Sequence, residues 1–261
     1  MIVIKALAIH FIGFVCLFYS ISVSANGILS TNYLFKSKFL QYDLNYRVYT
    51  PNVENRKSLL PTLYLTDGQW YLSSGDIKKT LDKLIASKKI SPIFVVFIDS
   101  RNPHKLTENR RNDEFMCNAK YISFFINELI PTISHNFAVS SAREDRVIGG
   151  ISFGGLNAAC FGLSAHKYFG GLVMQSPANE QHLKVIRRLY SKSSTLPLKM
   201  FLSSGGNNDN GRAIKKFYQT LEDKGYDVTF VKNNKGHHWD NWRPLLPEVL
   251  TTFFSINETD K

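Results

Sequence analysis

A serine set between glycines, in the segment Gly-Ile-Ser-Phe-Gly-Gly at 150–155, has the residue pattern of a reactive nucleophile. The segment follows a short stretch, 145–149, that predicts a buried strand, and it precedes a small-residue stretch, 156–163, that predicts a helix. Glycines relieve crowding at such a sharp turn, and the first N–H groups of the helix face any charge that develops beside the serine. We therefore predict that Ser152 is a nucleophile, the alternative being an ordinary glycine-serine turn.

A serine nucleophile needs a base, and histidine is the usual one because its pKa lies near neutrality. In hydrolases with this type of elbow, the acid and then the histidine follow the serine along the chain. His166 and His182 fall on or beside predicted helices, so we interpret them as surface residues. His237 follows a glycine in the loop after the last predicted strand, where the order requires the base. We predict His237 as the base, with the adjacent His238 as the alternative.

The acid should lie at the end of an earlier strand, because active sites of parallel sheets form at the carboxyl ends of strands. Asp209 meets this condition, since it follows the predicted strand 199–203 by a few residues. It would hold the histidine tautomer and stabilise the imidazolium. Capping of the next helix is the other possible role for Asp209. Asp227, which precedes its strand, and Asp240, which lies beyond the histidine, are the alternative acids.

An oxyanion hole requires two backbone N–H groups near the serine. The residue after the nucleophile, Phe153, supplies one of them. The turn after an early buried strand, 61–66, supplies the other, and its candidates are Gly68 and Gln69. A glycine there lets the backbone approach the substrate closely. We interpret Asp67 as a residue that fixes this turn and takes no part in catalysis.

The first 25 residues differ in composition from the rest of the 261-residue chain. Lys5 provides a positive start, 6–19 is almost entirely apolar, and small residues occupy 23–25, as in a secretory signal peptide cleaved before Asn26. A retained membrane anchor is the alternative. No later stretch is long and apolar enough to span a bilayer. We expect residues 26–261 to form one exported domain, periplasmic or secreted, with no stable membrane span after cleavage.

The net charge of +11 indicates a basic surface, which can attract anionic small molecules, lipids or nucleic acids. No nucleic-acid motif accompanies it, so we expect no nucleic-acid partner. Cleavage would remove Cys16 and leave Cys117 and Cys160, which an oxidising compartment would permit to pair. We expect both to be unpaired, because Cys160 on the helix after the elbow can pack as a small apolar residue. No Cys/His spacing indicates a metal site, and no cofactor is expected.

Predicted strands and helices alternate along the chain, which indicates an α/β fold with a mostly parallel sheet and helices on both faces. An alternating apolar pattern over 28–49 predicts antiparallel strands at its start, and 100–118 is interpreted as a polar loop. The remaining predicted strands are 61–66, 93–98, 145–149, 171–175, 199–203 and 228–231, and the predicted helices are 77–90, 119–137, 156–163, 180–190, 211–224 and 244–254.

Three segments resemble the putative-esterase family of α/β-hydrolases, which includes enterochelin esterases and relatives of S-formylglutathione hydrolase and feruloyl esterases. They are Leu-Tyr-Leu-Thr-Asp-Gly-Gln-Trp at 63–70, the elbow segment extended to 150–156, and Gly-His-His-Trp-Asp-Asn-Trp-Arg at 236–243. The similarity runs from about Lys38 to Phe254. The third segment resembles the family's Gly-Gly-His-Asp-x-x-x-Trp-Arg and places the base on His237. Lys235 and His238 replace a glycine and an aspartate of that pattern.

The resemblance also implies substrate-binding residues in the loop after Asp99, where enterochelin esterases typically carry Arg-x-x-Glu-Leu. This chain has Lys-Leu-Thr-Glu at 105–108, with Asn112 and Phe115 matching the family. The residues implied to bind substrate are Trp70, Lys105, Glu108, Arg110 and Arg111. The basic side chains of this loop would suit an anionic iron-catecholate, and they are Arg101, His104, Lys105, Arg110 and Arg111.

The function expected from these observations is an exported serine carboxylesterase that hydrolyses a small ester through an acyl-enzyme. The resemblance favours a siderophore ester of the enterochelin type. The alternatives are an esterase acting on acylated carbohydrate or another small ester, and a binding protein that keeps the fold without turnover.

Overall fold

Nine strands form one mixed sheet in the part of the chain that the computed structural model describes, residues 26–53, 58–206 and 208–256. The predicted signal segment lies outside these residues. The strands of this sheet are β1 (Ile28–Leu29), β2 (Tyr33–Lys36), β3 (Asp43–Thr50), β4 (Thr62–Thr66), β5 (Phe94–Ile98), β8 (Arg146–Ile151), β9 (Gly171–Gln175), β10 (Lys199–Ser204) and β11 (Asp227–Lys232). A separate two-stranded sheet contains β6 (Arg101–Asn102) and β7 (Lys105–Asn109).

The strand order of the main sheet is β1-β3-β5-β4-β8-β9-β10-β11, and β2 also pairs with β3. Strands β1, β2 and β5 pair antiparallel to β3. The six neighbouring strands β5, β4, β8, β9, β10 and β11 pair in parallel. Strands β4, β5, β8 and β9 are buried along their whole length. Continuous apolar runs are typical of strands covered on both faces. The predicted α/β fold with a mostly parallel sheet is therefore confirmed.

Helices cover both faces of this sheet and divide its apolar interior into two cores. Helices α4 to α8 contribute to one core, and α1, α2 and α10 contribute to the other. The helices are α1 (Gly68–Ser73), α2 (Ile77–Ala86), α3 (Arg111–Glu114), α4 (Ala119–Phe124), α5 (Ile130–Asn136), α6 (Phe153–Ser164), α7 (Glu180–Lys192), α8 (Gly211–Asp223), α9 (Trp239–Trp242) and α10 (Leu246–Phe254). A π-helical turn, Phe125–Leu129, joins α4 to α5, and a 3₁₀ turn, Arg243–Leu245, leads into α10. No helix of the described ranges is long and apolar enough to cross a membrane.

Two segments fold differently from what the sequence predicts. The polar segment 100–118 is not a plain loop, because it contains the β6–β7 hairpin and α3. The strands of this hairpin lack the apolar periodicity that usually indicates a strand. Polar contacts occur in it instead, such as the ion pair between Lys105 Nζ and Glu108 Oε1 at 2.6 Å. The turn after β4 is the start of α1, because Asp67 adopts a left-handed conformation (φ 56°) that turns the chain directly into the helix.

Cys117 and Cys160 form a disulfide, so the expectation of two unpaired thiols was wrong. The turn between α3 and α4 folds over α6 and brings the two Cα atoms to 5.1 Å, within the usual range for a disulfide. The two residues are 43 positions apart, and only the tertiary path of the chain brings them together. The bridge links the segment that carries α3 to the helix that follows Ser152.

Replacing both cysteines with serine should destabilise the protein by about 2–4 kcal/mol, because the bridge closes a long loop and restricts the unfolded chain. Chemical denaturation of wild type and the Cys117→Ser/Cys160→Ser variant under non-oxidising and oxidising conditions measures the difference. A reducing agent should lower the midpoint of the wild type alone. Equal midpoints for the two proteins without reductant would contradict this prediction.

Candidate active site

Ser152 lies at a sharp turn between β8 and α6, in a backbone conformation (φ 55°, ψ −121°) that non-glycine residues rarely adopt. The turn needs small neighbours. A Cβ atom on Gly150 would lie 2.5 Å from the Gly154 carbonyl carbon and 2.6 Å from Thr66 Oγ1. The glycines therefore allow β8 to enter α6 without a steric clash. This is the strand-helix elbow that the sequence predicts, with the serine at its apex.

A line of hydrogen bonds runs from Ser152 to a buried carboxylate. Ser152 Oγ lies 2.8 Å from Nε2 of His237, and Nδ1 of the same ring lies 2.5 Å from Oδ1 of Asp209. The ring packs edge-on against Trp242, with the ring centroids 5.0 Å apart. These three side chains come from the ends of β8, β10 and β11, which are close because parallel strands end at the same edge of the sheet. The arrangement can pass a proton from the serine to the imidazole while the carboxylate orients the ring.

The carboxylate of Asp209 is buried, and its second oxygen, which does not contact His237, accepts hydrogen bonds from three other groups. Its Oδ2 accepts hydrogen bonds from Ser176 Oγ at 2.6 Å, from Asn241 Nδ2 at 3.1 Å and from the Gly205 N–H. Burial raises the pKa of Asp209, but the hydrogen bonds from His237, Ser176 and Gly205 outweigh it, so the pKa lies below its ordinary value. Asp209 is therefore ionised at neutral pH, as a partner of an imidazolium must be.

Sequence reasoning missed the residues that hold this carboxylate. Ser176 Oγ accepts hydrogen bonds from Asn241 Nδ2 at 3.2 Å and from Trp242 Nε1 at 2.9 Å, so it links β9 to α9 beneath Asp209. Both partners belong to the segment 236–243, which resembles the family pattern. That resemblance was the one feature of the sequence that could have indicated a role for Asn241 and Trp242 in the site.

The alternative base and acids lie outside this line. His238 is 52% exposed, and its Nδ1 accepts a hydrogen bond from the Asp240 N–H at the start of α9. The Asp240 carboxylate is 76% exposed and lies 3.6 Å from that imidazole. Asp227 begins β11, at the edge of the sheet opposite the elbow. Asn210, not Asp209, is the residue that precedes α8 as its N-cap.

The three backbone groups proposed for an oxyanion hole lie at the ends of neighbouring strands. Phe153 is the first residue of α6 after β8, and Gly68 and Gln69 are the first residues of α1 after β4, which pairs with β8. N–H groups in the first turn of a helix have no partner within the helix. Gly68 must be a glycine, because a Cβ atom there would lie 2.6 Å from the backbone of Phe97. The two turns can therefore present free donors on the same side of the sheet as Ser152.

A buried ion pair supports the turn that carries these donors. Asp67 is fully buried, and its Oδ2 accepts hydrogen bonds from Arg111 Nη2 at 2.7 Å and Nε at 3.1 Å. Its Oδ1 accepts a hydrogen bond from Ser100 Oγ at 2.8 Å. Burial raises the pKa of Asp67, and the Arg111 guanidinium opposes that rise. The interpretation of Asp67 as a turn-fixing residue agrees with these contacts.

Two of the predicted substrate-binding residues, Arg111 and Trp70, lie next to each other and close to the elbow. Its guanidinium carbon lies 5.2 Å from the ring centroid of Trp70, 5.4 Å from that of Phe153 and 5.8 Å from that of Phe115. The Trp70 ring is half-buried. Trp70 and Arg111 therefore lie at the edge of the candidate site, although the arginine charge is already paired with Asp67.

The other predicted binding residues make contacts away from the elbow. Lys105 and Glu108 pair with each other on the exposed β7 strand. The Arg110 guanidinium lies 4.1 Å above the Tyr42 ring and donates to the Asp43 carbonyl at 2.9 Å, which places it beside β3. Each basic side chain of this segment has a partner, as shown by the pairs Arg101–Asp99, His104–Asp43, Lys105–Glu108, Arg110–Tyr42 and Arg111–Asp67.

His182, interpreted as a surface residue, instead lies next to the candidate site. Its ring centroid is 5.7 Å from that of Phe153, in an edge-on arrangement, and its Nδ1 is shielded from solvent. A cavity of about 450 Å³ lies next to Gln69 and is lined in part by Leu72, Phe97 and Arg101. In the described ranges, no three His, Cys, Asp or Glu side chains are grouped so that they could hold a metal ion.

Glu114 lies on the same short helix as Arg111, and its carboxyl group is buried. Tyr42 donates a hydrogen bond to its Oε1 at 2.7 Å. Burial raises the pKa of Glu114 to about 8, so the neutral form predominates in the folded protein at neutral pH. In the unfolded chain the same group ionises near its ordinary pKa of 4.5. Folding therefore favours the protonated carboxyl group.

The free energy of unfolding should fall as the pH rises through this interval. The stabilisation from protonated Glu114 is complete below the unfolded pKa and is lost as the pH rises towards 8. The loss should be on the order of a few kcal/mol, at 1.36 kcal/mol per pKa unit. The Glu114→Gln variant should lack most of this decline in urea denaturation between pH 5 and 8. Glu248→Gln, at an exposed position on α10, is the control. Parallel pH profiles for wild type and Glu114→Gln would contradict the prediction.

Comparison with known proteins places the chain in a family. A model of the family described as putative esterase matches residues 37–253. The uncharacterized protein YjcH of Bacillus subtilis is 24% identical over 237 residues, covering 86% of this chain and 97% of that protein. An endo-1,4-beta-xylanase/feruloyl esterase of Xylanibacter ruminicola is 24% identical over 213 residues, which are 77% of this chain but 27% of that protein.

A solved structure supports the same fold. The enterobactin esterase FES from Shigella flexneri, determined in the presence of enterobactin, superposes with a TM-score of 0.78 at 23% identity. The superposition covers 88% of this chain and 60% of that protein. This chain therefore spans only part of the length of the xylanase/feruloyl esterase and of the enterobactin esterase. The family match over most of the chain, together with the elbow and the sheet, shows that this chain belongs to the putative esterase family, which comprises carboxylic ester hydrolases with the α/β-hydrolase fold.

Proposed function

We propose that this protein is an exported serine carboxylesterase that uses Ser152 as nucleophile, His237 as base and Asp209 as the orienting acid. The observation that carries the proposal is the continuous line of hydrogen bonds from Ser152 Oγ through His237 to the buried Asp209 carboxylate. A nucleophile, a base within hydrogen-bond reach and a third group that orients the base together define this type of site. The non-catalytic alternative would not require these three groups to be aligned.

The geometry supports a two-step reaction. In the first step, His237 Nε2 removes the proton from Ser152 Oγ as the oxygen attacks the ester carbonyl. The tetrahedral oxyanion would accept hydrogen bonds from the N–H of Phe153 and from that of Gly68 or Gln69. The imidazolium then protonates the departing alcohol, which leaves an acyl group on Ser152. In the second step, water attacks this acyl-enzyme with the same histidine as base, and the carboxylic acid is released.

Export is part of the proposal and depends on two observations. The composition of residues 1–25 has the order of a signal peptide. The bridge between Cys117 and Cys160 suits the periplasm or the extracellular space, since disulfides persist in oxidising compartments.

Two classes of ester are supported as substrates. Similarity to enterobactin esterase favours a siderophore ester. Similarity to feruloyl esterase favours an acylated carbohydrate, and one structural observation agrees with it: every basic side chain of the 101–111 segment already has a partner. Exposed, unpaired charges are the ones that steer an anionic substrate most strongly. Both substrate classes therefore depend on the family resemblance, and the paired cations of the 101–111 segment add no support for an anionic siderophore.

A hydrolysis screen distinguishes the two classes. Purified wild type would be assayed on a short acyl ester, a feruloyl ester of a sugar and a catecholate trilactone with and without iron. Hydrolysis of any of them, with kcat/KM highest on one, supports the esterase and identifies its class. Charge-neutralising Lys105→Ala should leave kcat/KM for both classes unchanged, because that lysine is paired with Glu108 in an exposed strand. No turnover of any ester by folded protein would refute the proposed function.

A further inference from the structure

The outer face of α7 combines exposed aliphatic and basic side chains in two parallel rows. Leu183, Ile186 and Tyr190 are buried against the core, so the opposite side of the helix faces solvent. That side, which we call the α7 outer face, consists of Lys184, Val185, Arg188, Leu189 and Lys192. Residues four apart lie one above the other on a helix, which aligns Val185 with Leu189 and Lys184 with Arg188.

The two aliphatic side chains of the α7 outer face are about half exposed to solvent and lie next to each other. Val185 is 58% exposed and Leu189 is 46% exposed, and they are adjacent on the helix surface. A single exposed aliphatic residue is ordinary, but a paired row beside cations resembles the surface of a helix that lies at a lipid interface. The core packing of α7 does not require either of them, because three other residues already fill that role.

The cations of the α7 outer face also differ from those near the β6–β7 hairpin. Within the described residues, no carboxylate lies within salt-bridge distance of Lys184, Arg188 or Lys192. Helix α8 packs directly against α7 and adds three more exposed cations, Arg212, Lys215 and Lys216. These six cations form no salt bridge with any residue that the structure describes, and the exposed carboxylate of Glu180 lies at the start of α7, so the outer faces of the two helices carry a net positive charge that is complementary to an anionic partner.

The α7 outer face lies close to the candidate active site. Helix α7 begins at the edge of the sheet where Ser152 lies, and the Ala178 N–H just before it donates to the Ser152 carbonyl at 3.0 Å. In the first turn, the His182 ring packs against Phe153. A partner bound along α7 would therefore lie beside the opening of the site.

We propose that the α7 outer face docks the protein on an anionic phospholipid surface. The basic row would lie among the headgroups, where each cation adds to the attraction, and Val185 with Leu189 would insert between them. The exposed aliphatic row distinguishes this partner from a dissolved polyanion, which would use the charges alone. Docking in this position holds the catalytic opening next to the membrane surface, whichever ester the site hydrolyses.

The test uses vesicle binding by four matched full-length proteins. They are wild type, Lys184→Glu/Arg188→Glu, Val185→Ser/Leu189→Ser, and the control Lys79→Glu/Lys83→Glu. The control reverses an exposed pair of lysines, also four apart, on α2, whose exposed surface has no large aliphatic side chain. Binding to vesicles of phosphatidylglycerol and phosphatidylcholine, and to phosphatidylcholine alone, would be measured by cosedimentation at low and high salt.

The charge reversal on α7 should weaken binding to the phosphatidylglycerol vesicles by about tenfold or more, since each basic residue near an anionic membrane contributes to the affinity. The aliphatic variant should lose the binding that persists at high salt, and the α2 control should bind like wild type. Equal losses for the α7 and α2 charge variants would overturn the proposal. An unaffected aliphatic variant would indicate binding of polyanions alone and would also overturn it.

A second measurement detects contact of α7 itself with the lipid. Its result therefore does not depend on any vesicle binding by the apolar segment at the start of the chain. Tryptophan fluorescence of Leu189→Trp would be compared with that of Ala86→Trp, at an exposed position on α2. Phosphatidylglycerol vesicles with brominated acyl chains should quench the added emission of the first variant and not of the second. Absence of quenching at position 189 in protein bound to the vesicles would refute docking through this face.

Discussion

The Ser152→Ala variant is expected to lose ester hydrolysis by roughly four to six orders of magnitude in kcat, because members of a nucleophile-base-acid triad act as a unit. Without Oγ there is no atom for His237 to activate and no acyl-enzyme. The protein should fold normally, because alanine removes only a hydroxyl group whose hydrogen bond to His237 lies at a half-exposed position.

Two measurements test this expectation. Steady-state hydrolysis of a short acyl ester gives the loss in kcat, and a fluorophosphonate probe detects the reactive serine directly. The probe should label wild type and the control Ser164→Ala, whose serine is exposed at the end of α6, but not Ser152→Ala. Stoichiometric labelling of Ser152→Ala would assign the nucleophile to another residue.

Replacing His237 with alanine is expected to have an effect of similar size, whereas replacing His238 should leave most of the activity. The His237 ring lies between Ser152 and Asp209, with one ring nitrogen directed to each. The His238 ring is half-exposed and accepts a hydrogen bond from the backbone of α9. Removing His237 leaves the serine hydroxyl without a base, which costs several orders of magnitude in kcat.

The adjacent positions make this pair a controlled comparison, because the two variants lose the same side chain from the same loop. Values of kcat/KM for both variants, with circular dichroism to verify folding, give the result. The assignment of the base would be wrong if His238→Ala were inactive and His237→Ala retained activity. A pH profile of the active variant should match that of wild type.

The parts of the fold that the sequence predicted correctly are those determined by local sterics and by continuous apolar runs. Ser152 needs a turn that only glycines permit, and the glycines stand at fixed positions beside it. The buried strands β4, β5 and β9 are continuous apolar runs, so their positions could be predicted before any contact was known. The order serine, acid, histidine then pointed to Asp209 and His237, which the fold brings to one edge of the sheet.

The contacts that could not be predicted are those between residues distant in sequence. The Asp67–Arg111 ion pair joins residues 44 positions apart, and neither shows a local pattern that indicates the other. The same holds for Cys117 with Cys160, whose pairing depends on how the turn after α3 folds over α6. In the hairpin 101–109, ion pairs take the place of apolar periodicity, so no pattern in the sequence predicted a strand there.

The disulfide also has a mechanical consequence. Because Cys117 and Cys160 are covalently joined, residues 117–160 form a closed covalent ring that contains Ser152 and the whole of β8. Tension applied to the two ends of the chain passes from Cys117 to Cys160 through the bridge and does not stretch that ring. The reactive elbow is thus enclosed in a segment that keeps its length when the rest of the chain is pulled out.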